Sequence, residues 1–154
     1  MEVSTPLVAL HSGRCVSVIG DVIADGAKTY QHPCTGEPGR TWKLKRVEEG
    51  PADPAVFRIV GADSGRCLTF SEERFGGARV IVQQICDPAS DAQEWRFVVE
   101  EQRNGFSYGQ LINMRRSTCL DINGNSVDVG TPVVLWICGG QYNQRFGVAD
   151  EAVS

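Results

Sequence analysis

The sequence predicts an all-β protein built from three copies of one four-strand unit, and three observations lead to this prediction. Two cysteine series advance in steps of 52 residues, namely Cys15, Cys67 and Cys119, and Cys34, Cys86 and Cys138. Seventeen glycines and seven prolines supply turns, whereas runs with a helical period are few. Late in each copy an aromatic residue opens an alternating run, at Trp42, Trp95 and Phe146.

Each copy is expected to contribute four short strands, because residues of alternating polarity are separated by Gly, Asn, Asp or Pro. In the third copy the predicted strands are 110–114, 119–122, 132–137 and 144–148. One copy cannot bury its apolar face alone, so three copies around a pseudo-threefold axis are predicted to close a β-trefoil barrel. The residues expected at its centre are Val8, Val60, Ile112, Trp42, Trp95 and Phe146.

The repeat occupies nearly the whole chain of 154 residues, so one domain, 1–154, is predicted. Copies one, two and three span roughly 5–50, 56–103 and 108–151. Propellers and helical arrays also have periods of this size, but three four-strand units are few for a propeller and the helical period is missing.

Repeat symmetry predicts one disulfide within each copy, joining cysteines 19 positions apart: Cys15 with Cys34, Cys67 with Cys86, and Cys119 with Cys138. Symmetry selects this pairing, because six cysteines alone allow fifteen connectivities. Each bridge would close a loop of about 20 residues and contribute roughly 3 kcal/mol. A zinc site is disfavoured, since the chain has no CxxC pair and its two histidines, His11 and His32, occupy unrelated places. No metal or cofactor is therefore predicted.

Structural disulfides indicate an oxidising compartment, so a secreted protein is expected, although the N-terminus lacks the pattern of a signal peptide. The net charge of -4 and the absence of a basic patch argue against nucleic acid as a partner. No apolar run approaches the roughly 20 residues of a membrane helix, so membrane insertion is not expected.

The motifs of the repeat resemble those of the ricin-B-type (R-type) lectins. The resemblance rests on Ser-Gly-Arg before Cys15 and Cys67, on Cys119-Leu120-Asp121, on the cysteine spacing and on Gln93-Glu94-Trp95 as a full Gln-x-Trp. It covers essentially all of the chain. Two copies depart from the motif, with Arg40-Thr41-Trp42 and Gln144-Arg145-Phe146. The resemblance implies a β-trefoil that binds carbohydrate, with up to one shallow pocket in each copy.

Copy three carries every part of the pocket that the resemblance implies. Asp121 falls on the family's carboxylate, which accepts two hydrogen bonds from sugar hydroxyls, and Trp136 falls on the aromatic that stacks on a pyranose ring. The resemblance implies that Asn143 contacts a sugar hydroxyl and that Gln144 holds the carboxylate in its orientation. Asn123 and Asn125, in the turn after Asp121, are expected at the rim. The counterparts of Trp136 are His32 and Gln84, so this position is expected to face solvent.

The other two copies lack most of these parts. In copy two, Thr69 replaces the carboxylate, Gln84 the aromatic and Ala92 the asparagine, and Gln93 alone remains. Copy one offers Ser17, Gly39 and Arg40 at the corresponding positions. The weaker sugar-binding candidates of copy one are His32 as a flat plate, Tyr30 beside it, and Asp21 or Asp25 from the following loop.

The sequence thus predicts a lectin module without catalysis, binding galactose-type or N-acetylgalactosamine-type glycans or a plant polysaccharide through copy three. One alternative is a protein-binding trefoil such as a protease inhibitor, acting through the acidic, proline-containing loop 48–55. Another is a targeting domain of a glycoside hydrolase or toxin, in which a catalytic or toxin domain lies elsewhere in a longer chain.

Overall fold

The computed structural model describes residues 3–47 and 53–153, and within them twelve antiparallel strands form one continuous sheet. The strands of copy one are β1 (Val8–Ala9), β2 (Cys15–Val18), β3 (Thr29–His32) and β4 (Trp42–Arg46). Those of copy two are β5 (Val56–Gly61), β6 (Cys67–Phe75), β7 (Ala78–Gln84) and β8 (Trp95–Arg103). Those of copy three are β9 (Phe106–Asn113), β10 (Cys119–Ile122), β11 (Val133–Trp136) and β12 (Phe146–Ala149).

The predicted all-β, threefold architecture is confirmed, with four strands in each copy. Strand β12 of the last copy pairs with β1 of the first through Val8↔Gly147 and Ala9↔Phe146, so the first and last copies are joined edge to edge. Within the described part of the chain, four short 3₁₀ turns lie between or after the strands, at Asp91–Gln93, Asn123–Asn125, Tyr142–Gln144 and Asp150–Ala152. No helix among the described residues is long and apolar enough to span a bilayer.

In copy three, two predicted strand starts are wrong by two or more residues, and four other boundaries differ by one residue. The first strand begins at Phe106 and not at residue 110, because Asn104 and Gly105 form a tight turn, with φ of 54° and 82°, that extends the β8–β9 hairpin. The last strand begins at Phe146 and not at residue 144, because Tyr142–Gln144 form a 3₁₀ turn. That turn places two of the predicted site residues before the strand.

The three aromatic residues predicted at the barrel centre are confirmed there, since Trp42, Trp95 and Phe146 are fully buried. The two indoles make equivalent hydrogen bonds. Trp42 Nε1 donates to the Val16 carbonyl at 3.0 Å and Trp95 Nε1 to the Leu68 carbonyl at 3.1 Å. Burial of these large side chains is thus achieved without leaving an unpaired indole N–H.

The aliphatic residues predicted at the centre were misplaced by one position. The central cluster contains their preceding neighbours Leu7, Ile59 and Leu111, whereas Val8 and Ile112 are half-buried and Val60 is buried outside that cluster. Successive side chains of a strand point to opposite faces, so a shift of one residue exchanges the two sets. The mispredicted residues are the cross-strand partners of the first cysteine of each copy, and they face the disulfides: Val8↔Cys15, Val60↔Cys67 and Ile112↔Cys119.

The predicted disulfide pairing is confirmed in all three copies. Cys15–Cys34, Cys67–Cys86 and Cys119–Cys138 each have a Cα–Cα distance of 5.1 Å. Each bridge joins the start of the second strand to the segment just after the third.

Two buried glutamines link neighbouring copies. Gln31 of copy one donates from Nε2 to the Ser126 and Asp128 carbonyls of copy three, both at 2.8 Å, and its Oε1 accepts from Ser12 Oγ at 3.0 Å. Gln83 of copy two donates in the same way to the Val22 and Ala24 carbonyls of copy one, and accepts from Ser64 Oγ. The equivalent position in copy three is Leu135. At two of the three boundaries between copies, a glutamine amide therefore uses both of its N–H donors to join the copies, while its oxygen accepts a bond within its own copy.

Residues 48–52 of the loop proposed for the protein-binding alternative lie outside the described residues.

We predict that Gln31→Leu lowers the free energy of unfolding by about 1–3 kcal/mol, because leucine fits the equivalent position of copy three but removes both bonds to the Ser126 and Asp128 carbonyls and the bond from Ser12 Oγ. Urea unfolding measures the change. Gln84→Leu, at an exposed position of the equivalent strand in copy two, is the matched control and should change stability by less than about 0.5 kcal/mol. Equal effects of the two substitutions on stability would contradict the role of Gln31 in linking copies one and three.

Candidate functional site

The candidate site is an open cleft at the end of strands β10 and β11. Antiparallel pairing of Cys119 with Trp136 and of Asp121 with Val134 places Asp121 and Trp136 on neighbouring strands. Both line a cleft of about 580 Å³, in which Asp121 is 5% exposed and Trp136 is 48% exposed. The remaining lining residues are Gly76, Ala78, Asn123, Gly124, Asn125, Val134, Ile137, Gly139, Gln141, Asn143 and Gln144.

The structure brings together all of the main candidates of copy three: Asp121, Trp136, Asn143, Gln144 and Asn123 line this one cleft. The prediction that the Trp136 position faces solvent is confirmed, because nearly half of its surface is accessible. Its counterpart Gln84 is exposed as well, and His32 is half-buried.

Two side-chain amides hold the Asp121 carboxylate. Asn143 Nδ2 donates to Asp121 Oδ1 at 3.0 Å, and Gln144 Nε2 donates to Asp121 Oδ2 at 2.7 Å. The same two nitrogens also donate to backbone carbonyls, Asn143 to Ile122 at 3.0 Å and Gln144 to Ile137 at 2.8 Å. Each carboxylate oxygen keeps further acceptor capacity, so the group is fixed in direction without being saturated.

Gln144 also fastens the loop after the last cysteine. Its Oε1 accepts from the Gly139 N–H at 2.8 Å and from the Gly140 N–H at 3.2 Å. Gln93 of copy two makes the equivalent contacts, donating to the Ile85 carbonyl at 3.0 Å and accepting from the Asp87 N–H at 2.7 Å. The fastening role is thus shared between copies, whereas the bond to a carboxylate is particular to copy three.

Copy one makes the same fastening contact with a different residue. Arg40 Nη1 donates to the Pro33 carbonyl at 2.7 Å and to Thr35 Oγ1 at 3.1 Å. In all three copies, therefore, the residue two positions before the closing aromatic donates to the carbonyl just before the second cysteine. This contact explains why an arginine is accepted where the family motif has glutamine.

Burial raises the pKa of Asp121 to about 6, while the hydrogen bonds from Gln144 and Asn143 act in the opposite direction. The carboxyl group is therefore largely ionised at neutral pH and becomes protonated in mildly acidic solution.

The rim turn of the cleft is fixed by copy one. Gly124 and Asn125 adopt left-handed φ of 65° and 59°, which reverses the chain after Asn123. The following residues accept bonds from copy one: the Ser126 carbonyl accepts from His11 Nε2 at 2.7 Å, and the Val127 carbonyl accepts from Arg14 Nε at 2.8 Å. The buried amide of Gln31 adds its two bonds to the same segment. These supports were not predicted, since they join residues more than 90 positions apart.

Copy two supplies another part of the cleft that was not predicted. Gly76 and Ala78 line it from the tip of the β6–β7 hairpin, which packs along β11 through Val134↔Val80 and Leu135↔Arg79. The sequence does carry the signal for this hairpin, because Gly76-Gly77 between two strand-like runs is a typical two-residue turn.

The weaker candidates of copy one do not join a comparable arrangement. None of Tyr30, His32 and Asp21 lines the cleft of copy three. Asp21 Oδ1 accepts from the Ile23 N–H in a local turn at 3.3 Å, and Asp25 Oδ1 accepts from the Ile85 N–H at 2.7 Å.

At the counterpart of Asp121 in copy one, Ser17 is fully buried and donates to the Cys15 carbonyl at 3.0 Å. At the counterpart of Asn143, a Cβ on Gly39 would lie 2.8 Å from Cγ1 of Val22. That corner of copy one is therefore closed by its own residues.

In copy two the counterpart of the carboxylate is also used internally. Thr69 is buried and its Oγ1 donates to the Ala92 carbonyl at 2.9 Å. Gln93 Oε1 accepts a second bond from Arg58 Nη1 at 3.1 Å. Copy two thus lacks both the carboxylate and the aromatic plate.

A family model described as a ricin-type beta-trefoil lectin domain-like matches residues 5–84 and 91–153. The chain belongs to this family. A comparison with curated proteins found no match.

Solved structures resemble this ricin-type lectin-like domain over nearly its full length. ThreeFoil, a designed threefold-symmetric protein, is 24% identical with a TM-score of 0.79, covering 96% of this chain and 98% of that one. An exo-β-1,3-galactanase from Clostridium thermocellum is 22% identical with a TM-score of 0.77, covering 95% of this chain and 30% of that one. A ricin B-like lectin from Macrolepiota procera, solved with lactose, is 16% identical with a TM-score of 0.70, covering 96% and 94%. At these identities the likeness establishes the fold.

We predict that the Asp121 carboxyl makes stability depend on pH. Because its folded-state pKa of about 6 lies above the ordinary 3.8, its contribution to the free energy of unfolding is fully present below pH 3.8 and is lost as pH rises through about 6. The loss between pH 4 and pH 8 should be on the order of 2 kcal/mol. Urea unfolding of wild type and Asp121→Asn between pH 4 and pH 8 measures it: the wild type should lose stability relative to the variant as pH rises. The exposed Asp21→Asn variant serves as the control, and parallel profiles for wild type and Asp121→Asn would refute the shift.

Proposed function

We propose that the chain is a non-catalytic glycan-binding domain that recognises galactose-type or related sugars through the cleft of copy three. One observation carries the proposal: a carboxylate held in direction by two amides, Asn143 and Gln144, shares an open cleft with the half-exposed indole of Trp136. An apolar plate beside a fixed acceptor is the combination that a pyranose requires.

The two surfaces act on different faces of the sugar. The indole of Trp136 covers the C–H face of the ring, and the Asp121 oxygens accept bonds from two neighbouring hydroxyls, bonds that are strengthened by the negative charge. Asn143 uses its Nδ2 on Asp121 and Ile122, which leaves Oδ1 to accept from a further hydroxyl. Gln144 positions the carboxylate without needing to contact the sugar.

The comparisons support a galactose-type sugar as the first ligand to test. One structural relative was solved with lactose, which contains a galactose ring, and another is a galactanase. The galactanase chain is much longer than this domain, which covers 30% of it, so attachment to a catalytic domain is a reasonable architecture for the parent protein.

We propose that the domain has no catalytic activity because of the residues that line the cleft. Among the described residues that line it, Asp121 is the one carboxylate. Glycoside hydrolysis ordinarily uses two carboxyl groups on opposite sides of the scissile bond. A single fixed carboxylate therefore suits binding.

A shallow cleft of this kind is expected to bind a monosaccharide near millimolar, or about -4 kcal/mol. Useful strength would come from multivalent targets, from oligomers or from a linked domain that raises the effective concentration.

We predict that Asp121→Ala and Trp136→Ala each weaken sugar binding at least about tenfold, because each removes one of the two recognition surfaces. Titration calorimetry with galactose, N-acetylgalactosamine and lactose provides the measurement. His32→Ala and Gln84→Ala, at the positions equivalent to Trp136, are the matched controls and should bind like wild type. Binding that survives Asp121→Ala but is lost in a control variant would move the site out of copy three.

We also predict that affinity falls as pH drops through about 6, since the protonated carboxyl accepts weaker bonds than the ionised form. At pH 5 about one-tenth of the Asp121 groups would be ionised, so binding should be about tenfold weaker than at pH 7. Titrations from pH 5 to pH 8 test this, with folding checked by circular dichroism at each pH. A flat affinity profile across this range would be inconsistent with an Asp121 acceptor.

A further inference from the structure

Copy two differs from its neighbours in the segment between its second and third strands. Strands β6 and β7 have nine and seven residues, whereas their equivalents in the other copies have four each. The hairpin turns at Gly76 and Gly77, whose φ values of 58° and 86° are those of a two-residue turn with both central residues left-handed. The tip of this longer hairpin of copy two therefore reaches the cleft of copy three.

At the hairpin tip, the pairing of strands β6, β7 and β11 places three side chains in a row. Phe75 on β6 pairs with Ala78 on β7. Pairing of Val134 with Val80 and of Leu135 with Arg79 then brings Trp136 on β11 beside Ala78. Cross-strand partners lie on the same face of a sheet, so Phe75, Ala78 and Trp136 share the face that borders the cleft.

The row has an aromatic ring at each end and a small residue between them. Phe75 is 47% exposed and Trp136 is 48% exposed, while Ala78 is buried and lines the cleft. Neighbouring strands are about 4.8 Å apart, so the backbones at Phe75 and Trp136 are separated by about 10 Å. That separation exceeds the span of one pyranose ring, and the alanine leaves room above the sheet between the two aromatic rings.

The hairpin is held in place by contacts that do not involve Phe75. Arg74 Nη1 donates to the Gly77 carbonyl at 3.0 Å, which closes the turn. Arg79 pairs with Glu72 at 2.6 Å, and its guanidinium lies 5.6 Å from the centroid of the Phe70 ring. Arg74 and Arg79 are cross-strand partners next to the Phe75–Ala78 pair, and they therefore occupy the opposite face. Phe75 is 47% exposed and lies on the same face as its partner Ala78, which lines the cleft.

We propose that Phe75 is a second sugar platform and that the ligand is an oligosaccharide, with one ring on Trp136 and a following ring reaching Phe75 across Ala78. This inference rests on the proposed function, because the first ring occupies the Asp121–Trp136 cleft. Copy two, which lacks a carboxylate and an aromatic plate of its own, contributes to binding by extending the site of copy three.

The experiment compares sugars of different length on variants of one residue. Wild type, Phe75→Ala, Phe75→Leu and Phe75→Tyr are titrated with galactose, lactose and galactotriose, and with xylose and xylotriose. Phe75→Leu keeps an apolar side chain without a flat face, and Phe75→Tyr keeps the ring. Val99→Ala, at an exposed apolar position on the β8–β9 hairpin, is the matched control. Thermal unfolding of each variant verifies that the hairpin substitutions leave the fold intact.

The expected result is that wild type binds a trisaccharide about tenfold more tightly than its monosaccharide, which is the scale of one added aromatic contact. Phe75→Ala and Phe75→Leu should abolish this gain and leave monosaccharide affinity within about twofold, while Phe75→Tyr and Val99→Ala retain it. Equal losses for short and long sugars, no gain with length in wild type, or an undiminished gain in Phe75→Ala would each overturn the second platform. Failure of wild type to bind any of the five sugars would instead contradict the proposed function, and the inference with it.

Discussion

In every copy, the side chain two positions before the closing aromatic donates a hydrogen bond to the carbonyl that precedes the second cysteine. Arg40, Gln93 and Gln144 make this bond to Pro33, Ile85 and Ile137. The contact ties the fourth strand to the end of the third, beside the disulfide. In copy three the same amide also reaches Asp121 at 2.7 Å, so an element of the scaffold orients the candidate binding group.

The candidate site belongs to copy three in sequence, but all three copies build it. Copy one fixes the rim turn through the buried Gln31 amide, and copy two adds a wall from its long hairpin. In the other copies the counterparts of Asp121 are buried hydroxyls bonded to nearby carbonyls, Ser17 to Cys15 and Thr69 to Ala92. These hydroxyls bond within their own copies, so the arrangement around Asp121 is not repeated at the positions of Ser17 and Thr69.

Sequence patterns predicted the features that all three copies share, and missed the contacts that occur in only one copy or between copies. The 52-residue spacing of the cysteines predicted the three copies. It also predicted the disulfides, because the repeat symmetry restricts which cysteines can pair. The choice between Leu7 and Val8 as the core residue failed, since both are apolar and only the register to β2 distinguishes them. The contacts of Gln31 and the position of Ala78 join different copies, and their partners follow from closure of the barrel and not from local pattern.

The three tryptophans provide the most direct test of the central claim, that a glycan stacks on Trp136 beside Asp121. Trp42 and Trp95 are buried with their indole N–H groups bonded to carbonyls, whereas Trp136 is half exposed. Nitrogen-15 NMR during titration with galactose or lactose resolves the three indole signals. The account predicts a shift of the Trp136 signal together with the Asn143 side-chain amide, while Trp42 and Trp95 stay unchanged. Saturable binding that leaves the Trp136 signal unmoved would contradict it.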